Sequence, residues 1–326
     1  MSASGGGNDG FTAENNVGLA FGLNILAGAC TGIGAVAVVL KKDISPPVTG
    51  GILSLSAGVM VFVSFVDIYM SKSYGAFKKY FKEGQSMDDD LSDARAFQVS
   101  MASFFGGIVV TMALNYLVHL IQGLMDKRDA ERGRPRDGEE PKAEVLDLEK
   151  DDGPPAEGGE GGSEEKESKQ VGRVRLVKSG LIAAVAIALH NFPEGLATFM
   201  AALVDTKLGA AMAIAIAIHN IPEGMAVAMP IYKATNSRWK AILLGTLSGL
   251  TEPLGGVVGY LAVVNTGMSP LTYAIIFGIV GGMMVYISIE ELLPLALKYD
   301  EENKYATKLF YVGMLIMGLS LVLFTI

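Results

Sequence analysis

An all-α, polytopic membrane fold with eight transmembrane helices is what this sequence predicts, on three features. Half of the 326 residues are hydrophobic and 18% are charged, against roughly 25% charged in soluble proteins; the mean hydropathy is +0.39. Forty glycines and sixteen methionines accompany one tryptophan, and such a composition suits packed membrane helices because glycine allows close backbone approach and methionine fills irregular gaps. Eight stretches reach the ~20 mostly apolar residues that a helix needs to cross a ~30 Å hydrocarbon core.

Taken in chain order, Met1–Asn16 carries no Lys or Arg, lacks the basic start of a cleavable signal peptide, and reads as a flexible extracytosolic tail. Residues 17–124 hold the first three spans. These are Val17–Leu40, followed by Lys41 and Lys42; Thr49–Met70, which stops before Lys72; and Phe97–Leu124, which stops before Lys127. Residues 125–178 are rich in Glu, Asp, Gly and Pro, as in Asp151-Asp152-Gly153-Pro154-Pro155 and Glu157-Gly158-Gly159-Glu160. Too little apolar material is present there to fold alone, so a disordered, acidic cytoplasmic loop is expected. Its carboxylates could serve metal sensing, but it has no His or Cys, which favours a solvated linker. Residues 179–326 hold the last five spans: Ser179–Leu203 after Lys178, Leu208–Tyr232 after Lys207, Ala241–Val264 after Lys240, Leu271–Leu297 before Lys298, and Tyr305–Ile326.

Orientation follows from the basic residues, which are enriched in short cytoplasmic loops. Of the 26, six fall on the side of the termini and twenty on the other. Both termini are therefore expected outside the cytoplasm or in a lumen, in the plasma membrane or an organelle membrane; no targeting signal chooses between them. The single Cys30 cannot form an internal disulfide or a paired soft-metal site, and most simply acts as a small hydrophobe. A net charge of −8 disfavours nucleic-acid binding.

Six acidic side chains lie within the spans: Asp67, Glu194, Glu223, Glu252, Glu290 and Glu291. None of the spans that carry them holds a Lys or Arg. Each such group costs about 2.5–3.5 kcal/mol near the bilayer centre on insertion scales, so several of one sign call for a compensating cation or an aqueous cavity.

Two of these acids belong to a repeat. Residues 186–197 read AIALHNFPEGLA and residues 215–226 read AIAIHNIPEGMA, identical at nine of twelve positions. Within each copy, His and Glu are four apart and Asn and Glu three apart, which puts His190, Asn191 and Glu194 on one helix face and His219, Asn220 and Glu223 on another. Pro193 and Pro222 interrupt the helices and free the carbonyls of Leu189 and Ile218; Glu252-Pro253 with Gly255 and Gly256 makes a third interruption. Lys178 to His190, Lys207 to His219 and Lys240 to Glu252 are each twelve residues, roughly 18 Å of helix, so all three sites reach the midplane. Asp67 lies nearer the outer surface, and Glu290 and Glu291 lie toward the cytoplasm, together outlining an acidic route.

Imidazole, carboxylate and amide oxygen suit Zn²⁺ first, with Fe²⁺, Mn²⁺, Co²⁺ and Cd²⁺ as rivals, and argue against a tight Cu⁺ site. Labile mixed ligands favour passage of an ion over its permanent storage. The expected ligand is thus a transported divalent metal, with no organic cofactor.

The tandem H-N-x-P-E-G copies at His190 and His219, Glu252-Pro253 on the sixth span, and the long loop after the third resemble the ZIP (Zrt-, Irt-like) family of divalent-metal transporters. The run Ser56–Met60 (SAGVM) is similar to its GufA-like branch. The resemblance implies a 3+2+3 helix arrangement, commonly dimeric, and transport into the cytoplasm by alternating access. It also implies a binuclear centre on His190, Asn191, Glu194, His219, Asn220, Glu223 and Glu252, with Met60 as a weaker ligand.

Blander readings stand beside these. The repeats could be a polar network joining helices, Glu252 could mark a kink, Met60 could be packing, and Asp67, Glu290 and Glu291 could be interfacial. His119 reads as an interfacial structural histidine. An intramembrane zinc hydrolase is the rival chemistry, but it would usually show H-E-x-x-H rather than H-N-x-P-E twice. A metal-gated receptor signalling through the acidic loop is a third class.

Overall fold

The computed structural model describes residues 13–41, 45–131, 181, 184, 185, 187–264 and 269–325, and all regular structure among them is helical. Eight helices are long and apolar enough to cross a membrane. We label them α1 (Ala13–Leu40), α2 (Pro46–Gly84), α3 (Asp89–Glu131), α4 (Ile187–Val204), α5 (Thr206–Thr235), α6 (Arg238–Val263), α7 (Pro270–Tyr299) and α8 (Ala306–Thr325). Each corresponds to one expected span. The tail was expected to reach Asn16, but α1 begins at Ala13, and α3 continues to Glu131 into the expected loop. The remainder of the tail and almost all of the acidic loop lie outside the described residues.

Local chemistry sets the helix starts. Ser45 and Ser269 are extended and precede Pro46 and Pro270, whose fixed φ and missing N–H suit a first helical turn. The Ser269 hydroxyl also accepts the N–H of Thr272 at 3.0 Å. α6 is broken at Leu250, whose N–H is shared between the carbonyls of Thr246 and Leu247, both at 3.2 Å. Pro253 lies in the turn that follows and cannot donate a helix bond.

α2 runs well past Met70, where the sequence predicts its end. The extra turns pack Phe77 against Ala96 and Ala274, and Lys78 and Lys82 pair with Asp93 and Asp89 on α3. Basic residues that look like a membrane boundary are thus absorbed by a neighbouring helix. Wide π-type turns occur at Val63–Tyr74 in α2 and at Ser288–Leu292 in α7; turns of this kind concentrate at functional sites.

The helices pack as two groups. α1, α4, α5 and α6 contact one another, while α2 packs on α3, α7 and α8 and α3 packs on α7, and α2 and α8 join the groups by lying against α5. Contacts in the second group recur in exchanged pairs. A β-carbon on Gly58 (α2) would strike the carbonyl of Phe310 (α8), just as one on Gly282 (α7) would strike that of Phe104 (α3). Ser64 bonds the Met60 carbonyl at 2.6 Å, and Ser288 bonds that of Met284 at 2.7 Å. Gly28 of α1 and Gly249 of α6 likewise each pack on the other's carbonyl, so an internal twofold relates α1–α3 to α6–α8, with α4 and α5 between them, which is the 3+2+3 order. Its principal core joins Phe199, Met200, Met212 and Ile216 to Met60, Phe277 and Met284.

Candidate metal centre

The repeat brings its two copies face to face across α4 and α5. The Nε2 of His219 lies 3.1 Å from Oε1 of Glu194, and the Nε2 of His190 lies 3.6 Å from Oε2 of Glu223. Each histidine thus meets the glutamate of the other copy. The first distance is a hydrogen bond, whereas the second exceeds one. Ligand atoms of Glu194, His219 and Glu223 all lie within 4.8 Å of one another, close enough to share an ion.

Amides tie these helices to their neighbours. Asn191 donates to the Ser248 carbonyl at 3.2 Å, while Asn220 donates to the Ala27 carbonyl at 2.9 Å and to Oε1 of Glu252. Glu252 enters beside the break in α6, where Gly195 of α4 packs directly on its backbone carbonyl.

All seven residues expected as principal ligands are at most 1% exposed. Buried polar groups normally find partners, and leaving one unmade costs about 1–3 kcal/mol, more for a charged group. Here His190 Nδ1 and Nε2, Asn191 Oδ1, Glu194 Oε2, His219 Nδ1, Asn220 Oδ1, both oxygens of Glu223 and Glu252 Oε2 have no hydrogen-bond partner among the described residues. A packing network would consume these atoms. A divalent cation would use them, and would offset the like charge of three buried carboxylates.

The tentative residues fare differently. Met60 is fully buried on α2, and Ser56, four residues earlier and so on the same face, donates to the His219 carbonyl at 3.2 Å. This turns the Met60 face toward α5. Asp67 is buried but pairs with Lys72 at 3.3 Å. The expectation that it has no basic partner is therefore corrected, because α2 continues and its next turns carry the lysine back. Glu291 lines a cleft with His190, Asn115 and Thr111. Glu290 points elsewhere and is exposed, as is His119. Under the internal twofold, Ser64 and Met60 match Ser288 and Met284, so Asp67 matches Glu291 on the opposite side of the centre.

Sequence reading missed Asn24, Asn115 and the bond made by Ser56. The Asn24 side chain donates to the Gly195 carbonyl at 3.0 Å and to that of Glu252 at 3.5 Å, fastening α1 across the α4–α6 junction. An amide inside an otherwise apolar span was the available signal.

The profile of the family described as "ZIP Zinc transporter" matches residues 82–324. Three proteins named Zinc transporter ZupT are similar across nearly their full lengths. The protein from Chlorobaculum parvum is 38% identical over 305 residues, covering 94% of this chain and 97% of the relative. That from Nitratidesulfovibrio vulgaris is 39% identical over 311 residues, covering 95% and 99%. That from Clostridium perfringens is 36% identical over 314 residues, covering 95% and 97%.

Proposed function

We propose that this chain, which belongs to the ZIP zinc transporter family, carries Zn²⁺ into the cytoplasm through a binuclear centre formed by His190, Asn191, Glu194, His219, Asn220, Glu223 and Glu252. The protein is a multi-pass membrane transporter rather than an enzyme. Fe²⁺, Mn²⁺, Co²⁺ and Cd²⁺ satisfy the same donor set and compete for it.

The observation that carries this reading is the crosswise meeting of two buried half-sites, most of whose remaining donor atoms lack partners among the described residues. An ion entering from the side of the termini passes Asp67, exchanges water for imidazole and carboxylate at the centre, and leaves along the cleft of Glu291. Because ligating His must be neutral and Glu ionised, loading releases protons, and external acid competes with the metal. Access alternates as the group of α1, α4, α5 and α6 moves against that of α2, α3, α7 and α8, along the α2–α5 contact. The termini are extracytosolic, the loop over residues 125–178 faces the cytoplasm, and two copies pair in the bilayer.

Zinc flux into proteoliposomes of purified protein tests the proposal. Wild type should carry zinc, and Glu194→Ala or Glu223→Ala should abolish flux while the protein still inserts. Undiminished flux in both variants overturns the site.

A further inference from the structure

Asp67 carries its own cation. The ammonium of Lys72 lies 3.3 Å from Oδ1 of Asp67, and the two side chains are only 15% and 10% exposed. On an ordinary α-helix, residues five apart diverge by about 140° around the axis. The π-type turns of Val63–Tyr74 bring this pair together, since such turns bond each residue to the fifth beyond it and so set the two one above the other. The ion pair thus depends on the unusual winding of α2 at the place where it occurs.

Holding the fold together is a poor account of the pair. Lys78–Asp93 and Lys82–Asp89 join α2 to α3, and each of their side chains is at least 42% exposed. Lys72 and Asp67 belong to one helix, and their bond fastens no second element to it. Taking two charges out of water costs about as much as their attraction returns, so a buried pair is weak support for stability. Nor does the winding require a lysine. The internal twofold sets Asp67 against Glu291, which also lies in π-type turns, and the position five beyond Glu291 is Ala296. Glu291 has no such lysine and lines the cleft of His190.

Depth adds a role. Asp67 stands eleven residues beyond Ser56, which bonds the His219 carbonyl, so roughly 15 Å of helix separate it from the level of the centre. Lysine binds a carboxylate as a point charge on a flexible stem, without the two-pronged grip of arginine.

We infer that Lys72 is the resident counter-ion of an entry carboxylate, Asp67, which a divalent ion displaces and a monovalent ion does not, so that the pair selects the entering cation by its charge. The inference rests on the transport reading, in which ions pass Asp67 on their way to the centre.

Initial rates of zinc uptake into proteoliposomes, over a range of zinc concentrations and with excess Na⁺ or choline, test it. Lys72→Met keeps the stem and removes the charge. It should lower the half-saturating zinc concentration roughly tenfold or more, the scale on which one neighbouring charge alters proton binding by a carboxylate, without raising the maximal rate. Uptake should also become sensitive to Na⁺ and stay indifferent to choline, which is too bulky to enter. Lys72→Arg keeps the charge and should hold the half-saturating concentration at or above that of wild type. In an Asp67→Asn background, Lys72→Met should have neither effect, because the carboxylate it frees is gone. A half-saturating concentration that stays or rises in Lys72→Met, that falls equally in Lys72→Arg, or that falls without sensitivity to Na⁺, overturns the inference and leaves the pair as a support for α2. Glu194→Ala run in parallel separates the two readings: undiminished uptake there defeats the transport centre, whereas its loss beside an unmoved half-saturation in Lys72→Met defeats only the role of Lys72. Should Lys72→Met fail to reconstitute, Lys72→Gln, which keeps a hydrogen-bond donor without the charge, is read by the same measures.

Discussion

Glu194 on α4 meets His219 on α5 at 3.1 Å, across the helix interface, although its own helix carries His190 four residues away. The repeat therefore builds one centre from two incomplete faces, and neither helix holds a complete site.

Crosswise pairing predicts strong coupling between the copies. His190→Ala and Glu223→Ala should each reduce zinc affinity, and the double variant should lose far less than the sum of the two free-energy costs, with a coupling of roughly 0.5–3 kcal/mol. Pairing His190→Ala with a distant change such as Thr307→Ala should be additive within about 0.5 kcal/mol. Chelator-competition titration of the four proteins provides the comparison.

Asn220 spends its two amide protons on the Ala27 carbonyl and the Glu252 carboxylate. Asn220→Leu should lower zinc affinity by roughly 10–100-fold, because the carboxylate loses the group that orients it. The midpoint of thermal unfolding in detergent should also fall, since the Ala27 carbonyl loses its bond across to α5.

Asn24→Leu leaves the carbonyls of Gly195 and Glu252 without their side-chain donor. A stability loss of about 0.5–1.5 kcal/mol is expected, the ordinary net worth of a hydrogen bond, since both carbonyls keep their helical bonds. Unfolding of the reconstituted protein in a mild denaturant series would report it.

At the α7–α8 turn, Asp300 accepts the backbone N–H groups of Lys304, Tyr305 and Ala306 at 3.0, 2.7 and 2.8 Å. Burial disfavours its charged form, but the N–H groups of Tyr305, Ala306 and Lys304 outweigh that, and with the Lys304 charge they hold its carboxyl below the usual carboxylate range. A lowered folded-state pKa means that the stabilisation is complete above the unfolded value of about 4 and is lost as pH falls through the lower folded value. Asp300→Ala should cost about 0.5–2 kcal/mol at pH 7, and its penalty should shrink in strong acid. Unfolding midpoints at pH 7 and pH 3 for both proteins provide the test.

Much of this was legible in the sequence, for physical reasons. Apolar length finds eight helices because hydrocarbon thickness admits few alternatives, and H-N-x-P-E-G stands out because an apolar span tolerates His and Glu only for a purpose. The length of α2 was not legible, since Lys72 and Lys78 read as a boundary until Asp67 and Asp93 are seen beside them. Asp67 and Glu290 likewise looked equivalent as route residues, yet one is paired and the other faces outward.

Anomalous scattering at the zinc absorption edge, from crystals of the zinc-loaded protein, bears most directly on the central claim. The account predicts zinc peaks about 2.0–2.2 Å from Glu194 and Glu223 oxygens and from His190 and His219 nitrogens, with the second ion reached by Glu252. Peaks confined to surface carboxylates, with none between α4 and α5, would contradict it.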